Sequence, residues 1–313
     1  MIKRSVLTAV VILIGYHLLL PHLSRRFYQI LGQQRGNFLR EENYVADPRP
    51  STNVIVGSSM AQTLNDNTLG PNYTKLTFPG NSVLTALELI KRSEKKPNLV
   101  LIETNACWKD ADAELLHDAF DPWSVELRQL SPIFSEEGRP ANFLGGIVEA
   151  CVRRSCQIGL SFFPKRHEVL ALSTPQTDPG EPVVQLKDVN MAEWDRTPPA
   201  DVLNRQTAQL ATLVDGLNRR GCHCILFTMP MDNTLANLSG PRSWRIKMHE
   251  QFPQSQYDWL TFDSTHRYLT TDGVHLIRPE ADRVTETLLD QVRHIVDGAD
   301  HRAGRIVAVR STE

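Results

Sequence analysis

Residues 53–105 read NVIVGSSMAQTLNDNTLGPNYTKLTFPGNSVLTALELIKRSEKKPNLVLIETN, and their rhythm decides the fold. Asn53–Gly57 (NVIVG) is a short apolar run closed by glycine, the pattern of a buried strand. Thr74–Phe78 (TKLTF) reads as a second strand. Val83–Lys95 has apolar residues at helical spacing, and Pro97 stops it. Asn98–Glu103 (NLVLIE) is a third strand. The same alternation resumes downstream. Ala200–Arg220 is helical, with Leu203, Leu210, Leu213, Val214 and Leu217 on one side and Gly221 as its C-cap. Cys222–Thr228 (CHCILFT) is a fourth strand, Tyr257–Phe262 a fifth, and Pro279–Val296 a last helix with proline in its first turn. Strands separated by helices predict an α/β fold, a parallel sheet with helices on both faces. Such sheets carry their sites at the C-terminal ends of the strands.

The composition fits a globular domain. Of 313 residues, 41% are apolar and 22% charged, which excludes disordered, collagen-like and polytopic membrane classes. The net charge of −2 supplies no field to hold a nucleic-acid backbone, so no nucleic-acid partner is expected. Cys107, Cys151, Cys156, Cys222 and Cys224 form no CxxC pair and no zinc spacing with histidine. That leaves room for one disulfide but excludes a disulfide-dense scaffold. Cys222 and Cys224 share a strand face and read as packed thiols.

Two stretches lie outside the α/β rhythm. Lys3 and Arg4 precede an apolar run, Val6–Leu20, and Arg25 and Arg26 follow it. No small-x-small cleavage site follows Leu20, so residues 1–26 read as an uncleaved signal anchor, N-terminus inside, in preference to a cleaved signal peptide or a buried core helix. The folded part would then be extracytoplasmic, held to a periplasmic or cell-surface membrane face by this helix. Residues 27–52 read as a polar stalk, 53–298 as the folded α/β domain and 299–313 as a tail. Residues 107–199 are too long for a connection and are expected to have structure of their own. A helix is expected over Ala141–Gly159 and an irregular surface segment over Thr174–Pro199. The whole reads as an insertion capping the ligand-binding edge of the sheet.

Chemistry-bearing residues cluster at the strand ends. After the first strand come Ser58 and Ser59; a serine at a tight strand-to-helix turn suits a nucleophile, although any serine here also makes an ordinary N-cap. Gly80, after the second strand, permits close backbone approach to a ligand, or is a plain turn glycine. Asn105, after the third, can offer an oriented N–H to developing negative charge, or bond its own loop. Asp272 and His275 are three residues apart, close enough for the carboxylate to hold one ring nitrogen and leave the other as a base.

In this order the four blocks resemble the SGNH subgroup of the GDSL hydrolase superfamily. The likeness spans residues 53–297 apart from the insertion. Ser59 matches the nucleophile, in a GSS triplet where the family most often has GDS. Gly80 and Asn105 match the second-block glycine and third-block asparagine, the latter in ETN rather than GxN. Asp272 and His275 match the final Asp-x-x-His block. The resemblance implies a three-layer α/β/α, flavodoxin-like fold with a five-stranded parallel sheet, and ester chemistry through an acyl-serine. It implies an oxyanion hole from the Ser59 and Gly80 N–H groups and the Asn105 amide, with no metal or organic cofactor. With an N-terminal anchor, the GSS form resembles extracytoplasmic members that modify cell-envelope polymers. The expected partners are an acyl ester or acyl donor, a glycan acceptor and a membrane-bound acyltransferase.

The alternatives are a lipid or small-ester hydrolase and a non-catalytic binding or scaffold protein that keeps the fold. Lesser candidates are Trp108, as a sugar-stacking wall or as packing, and Arg242 and Arg245, as contacts to an anionic polymer or as a solvated helix face. Met229-Pro230-Met231 reads as the rim of the pocket.

Overall fold

A computed structural model of the chain describes residues 2–19, 33–47, 52–93, 95–105, 108–136, 138–139, 191–192 and 194–310. Two compact units form: Met1–Ala46 with Glu114–Gly180, and Asp47–Ala113 with Glu181–Glu313.

In chain order the elements are α1 (Ile2–Leu19), α2 (Gln33–Ala46), β1 (Asn53–Gly57), α3 (Ser59–Gln62), α4 (Asp66–Leu69), β2 (Tyr73–Thr77), α5 (Val83–Arg92), β3 (Leu99–Glu103), α6 (Ala113–Phe120) and α7 (Pro122–Leu130). They continue with α8 (Ala200–Arg219), β4 (His223–Phe227), α9 (Asn233–Ala236), α10 (Ser239–Gln251), β5 (Asp258–Leu260) and α11 (Arg278–Arg310).

The second unit is an α/β fold. All five strands are parallel, in the order β2-β1-β3-β4-β5. That order is the flavodoxin-like one among doubly wound sheets. Successive strand residues point to opposite faces, and the core divides accordingly. Ile55, Leu101, Ile225, Phe227 and Leu260 pack with Val284, Leu288 and Val292 of α11. Val54, Val56, Val100, Ile102 and Leu226 face the other way and are fully buried. On that side α5 packs against β1 and β2, and α8 against β4 and α5. The fully buried Leu84, Leu87 and Ile90 of α5 and Leu210 and Leu217 of α8 cover it. Burying each such side chain contributes roughly 1.5–3 kcal/mol.

Register positions the site. Gly57 pairs with Thr77, Val56 with Ile102, Glu103 with Phe227 and Phe227 with Leu260. The C-terminal ends of all five strands therefore finish at one edge, and the loops that leave them start together.

The first unit departs from what its composition suggests. The polar stretch expected as a stalk carries α2, which buries Asn37, Glu41, Glu42 and Tyr44. Arg128 of α7 explains how such a polar face can be buried. Its guanidinium pairs with Asp118, lies 3.0 Å from Glu42 Oε1 and 3.8 Å from Glu41 Oε1. The Glu136 N–H donates to both Glu42 oxygens. Glu41 accepts no hydrogen bond among the described residues, and burial pushes its carboxyl up to about 8.

The N-terminal run is helical over Ile2–Leu19, where Tyr16 Oη donates to the Gly138 carbonyl at 3.1 Å. Among the described residues, however, no helix is long and apolar enough to cross a membrane.

The last helix runs to Arg310, well beyond the expected Val296 and through part of the expected tail. Of the insertion, α6 and α7 are described; the helix expected over Ala141–Gly159 and most of the irregular segment over Thr174–Pro199 lie outside the described residues. Cys107, Cys151 and Cys156 lie outside them too, whereas Cys222 and Cys224 are free, buried thiols, with Cys224 pushed up to about 12 by burial.

Candidate active site

β1 ends at Gly57 and the chain turns at once into α3. The two serines at this turn have different partners. Ser58 is extended and is the N-cap: its hydroxyl oxygen accepts the Met60 N–H at 3.1 Å. Ser59, the first residue of α3, is thereby free of capping. Its Oγ lies 2.8 Å from His275 Nε2.

The histidine arrives on a turn just before α11. Gly273 sits at φ 94°, a left-handed conformation that an L side chain would strain, and its N–H donates to Thr270 Oγ1 at 3.0 Å. That bend folds Asp272 back over its own turn. Asp272 Oδ1 accepts the Val274 N–H at 3.1 Å and the His275 N–H at 2.8 Å. Oδ2 lies 2.7 Å from His275 Nδ1. An ionised carboxylate is an acceptor only, so Nδ1 carries the ring proton and Nε2 presents a lone pair to Ser59. Burial works against ionising Asp272, but His275's hydrogen bond and charge, with the two backbone N–H groups, outweigh it and hold the carboxyl below its usual range. The His275 side chain remains about one-third exposed, at 33%, so the relay can be reached from solvent.

His223 and His266 show what is special about His275. They also meet carboxylates, Asp258 at 2.7 Å and Glu280 at 3.0 Å. Among the described residues, only His275 joins a carboxylate on one ring nitrogen to a hydroxyl on the other.

Gly80 and Asn105 stand at the neighbouring strand ends. Gly80 is exposed at φ 76°, and Lys109 Nζ donates to its carbonyl at 3.1 Å. Asn105 is buried and tied to β4's exit: the Met229 N–H donates to Asn105 Oδ1 at 2.6 Å, and Asn105 Nδ2 donates to the Met229 carbonyl at 2.8 Å. The amide nitrogen has two hydrogens, and this clasp uses one. The side chain is thus held rigidly with a donor to spare, and the clasp locks the ends of β3 and β4 together.

The lesser candidates fare unevenly. Trp108 is half-buried and makes edge-on contacts with Trp194 at 5.4 Å and Trp244 at 6.2 Å between ring centroids. The Trp244 indole in turn donates to the Thr104 carbonyl, so this cluster packs beside Asn105. Arg245 donates to the Ala236 carbonyl, which ties α10 to α9, and Arg242 lies exposed on α10. Met229 and Met231 do not form a rim: they are 1% and 6% exposed and belong to the core.

One residue beside Ser59 escaped the sequence reading. Glu103, the last residue of β3, is 2% exposed and reaches under the serine turn. Its Oε2 accepts the Ser58 N–H at 2.7 Å and the Ala61 N–H at 3.1 Å; its Oε1 lies 2.9 Å from Ser58 Oγ. Burial raises its pKa, and these bonds together with His275 oppose the rise. A carboxylate ending an apolar strand is the only signal that pointed to it.

Among the described residues no cluster of histidine, cysteine, aspartate or glutamate could hold a metal ion. A cavity of about 380 Å³ in the first unit, lined by Arg35, Phe38, His117, Asp118 and Glu136, includes none of Ser59, Gly80, Asn105, Asp272 and His275. No protein-family model matches the chain, and neither a curated protein nor a solved structure does.

Proposed function

We propose that this chain is a serine-dependent acyl-ester enzyme of the SGNH type. One observation carries the reading: the continuous relay from Ser59 Oγ through His275 to Asp272, with links of 2.8 and 2.7 Å. Attack by Ser59 on an ester carbonyl passes its proton to His275 Nε2, and Asp272 stabilises the imidazolium. The oxyanion receives the backbone N–H groups of Ser59 and Gly80 and the second Asn105 amide hydrogen; one such donor is typically worth ~10²–10³ in rate. His275 then protonates the leaving alcohol, and the acyl-serine is resolved by water or by a sugar hydroxyl.

The finer reading is O-acyl transfer to, or hydrolysis from, a cell-envelope polysaccharide outside the cytoplasm. It is supported by the apolar N-terminal helix and the GSS form of the nucleophile block. In that setting the enzyme works at a membrane face, close to a membrane-bound acyl donor or acyltransferase and to a glycan acceptor.

A fluorophosphonate probe tests the chemistry, because an activated serine attacks such phosphorus centres. Intact-mass analysis of the full chain should show one adduct, absent in Ser59→Ala and retained in Ser58→Ala. An adduct that survives Ser59→Ala refutes the assignment.

A further inference from the structure

We infer that Glu103 is a positioning residue for the nucleophile, a carboxylate clamp that fixes the Ser58–Ser59 turn so that Ser59 Oγ stays in line with His275. The inference rests on the serine-enzyme reading and adds to it a fourth side chain that acts through Ser58.

The clamp is built from three donors. The Ser58 N–H and Ala61 N–H both reach Glu103 Oε2, at 2.7 and 3.1 Å. The Ser58 hydroxyl, which accepts from the Met60 N–H, keeps its own proton for Glu103 at 2.9 Å from Oε1. One carboxylate therefore holds the residue before Ser59 by its backbone and side chain, and the residue two beyond it by its backbone. Ser59 itself donates nothing to the clamp and is left to His275. An acceptor-only group meeting three donors suits the ionised form, and charge-assisted bonds of this kind are the strong ones.

The fold makes room for it at a specific cost in side chains. A Cβ on Gly57 would lie 2.5 Å from Glu103 Oε2, 2.8 Å from Glu103 Cβ and 2.7 Å from Ala61 Cβ. Gly57 is glycine because Glu103 occupies that space. The two departures from the blocks of the resembling family also meet here. Ser58 stands where that family most often has aspartate, and Glu103 where it has glycine. An aspartate at 58 would set a second carboxylate against Glu103 in a buried site, so the serine and the glutamate compensate one another.

The test measures the fluorophosphonate reaction of Ser59 in the full chain, separating the labelled fraction at completion from the rate. Glu103→Leu leaves three donors without a partner. Every folded molecule should still label to completion, ~10²-fold more slowly, the penalty expected for roughly 1 Å of misplacement. Glu103→Gln keeps the shape and most of the bonds, and should label within ~10-fold of the wild type. A purely structural role would do the opposite, lowering the labelled fraction while the molecules that fold react at the wild-type rate.

If Glu103→Leu fails to fold, Ser58→Ala and Glu103→Gln decide. Each should slow labelling, and the double variant should be no slower than the worse single one, because both cut the same clamp. Wild-type rates in both folded variants, or fully additive losses, overturn the inference. The two levels fail separately: if wild-type Ser59 takes no label the serine-enzyme reading itself falls, whereas normal labelling indifferent to Glu103 removes only the clamp.

Discussion

Replacing Asp272 by asparagine changes one atom and should almost silence the proposed ester chemistry, for a reason visible in the turn. Asp272 Oδ1 accepts two backbone N–H groups, from Val274 at 3.1 Å and His275 at 2.8 Å. An asparagine amide must keep its oxygen there, since its NH₂ would face two donors. The NH₂ then occupies the position of Oδ2, 2.7 Å from His275 Nδ1. It donates to Nδ1, so the ring proton moves to Nε2, and a protonated Nε2 cannot take the proton of Ser59. A wrong tautomer of this kind costs ~10⁴ in kcat where the same geometry has been tested. At about 1.4 kcal/mol per tenfold, that is ~5 kcal/mol of transition-state stabilisation. At neutral pH the fold should lose only the contribution of the ionised carboxylate, because the amide fills the same volume and keeps both backbone bonds. The assay is hydrolysis of a model acetyl ester alongside the rate of fluorophosphonate labelling, with thermal unfolding as the control for integrity. A folded Asp272→Asn chain that loses less than ~10-fold would refute the claim that Asp272 sets the tautomer of His275.

Other perturbations have clear signs. Gly57→Ala drives a Cβ to within 2.5 Å of Glu103 Oε2 and 2.7 Å of Ala61 Cβ, so thermal unfolding should show a loss of roughly 1–3 kcal/mol and labelling of Ser59 should slow. Asn105→Ala should lower the acylation rate ~10²–10³-fold and also destabilise, because the Met229 clasp is lost with the donor. Glu41 is raised to about 8, so the folded first unit binds a proton that the unfolded chain releases near its ordinary carboxylate value; its stability should fall as pH rises from about 4.5 to about 8. Glu41→Gln should flatten that dependence in urea melts taken across the range, and an unchanged slope would show that Glu41 is ionised in the fold. Asp272 has the opposite sign: its lowered pKa stabilises the fold above the usual carboxylate range, and that contribution disappears as pH falls through the folded value in acid melts.

The strands and the four chemical blocks were legible because each rests on a local rule. An apolar run closed by Gly57, or a proline after α5, needs no knowledge of the rest of the chain. Asp272 and His275 were legible for the same reason, being three residues apart on one turn. What sequence could not supply is what depends on residues far apart. Ser58 and Ser59 are chemically identical in the string GSS, and only the resemblance singled out Ser59; the physical difference, a cap at one and a histidine 216 positions away at the other, comes from the sheet that brings the two ends together. Glu103 looked like the polar end of a strand, and its meaning comes from a turn 45 residues earlier. The polar stretch of α2 failed by the same logic: Glu41 and Glu42 count as stalk-like until Arg128, on another helix, makes their burial tolerable. Met229 and Met231 were misplaced because a proline between two methionines suggests an exposed loop, while the Asn105 clasp draws that segment into the core. In each case the missing information was a polar contact across the fold. Buried polar groups must find partners, whereas apolar ones need only volume. That difference makes the apolar core of this chain readable from its periodicity, and leaves the placement of its buried charges, Glu103 above all, to the structure.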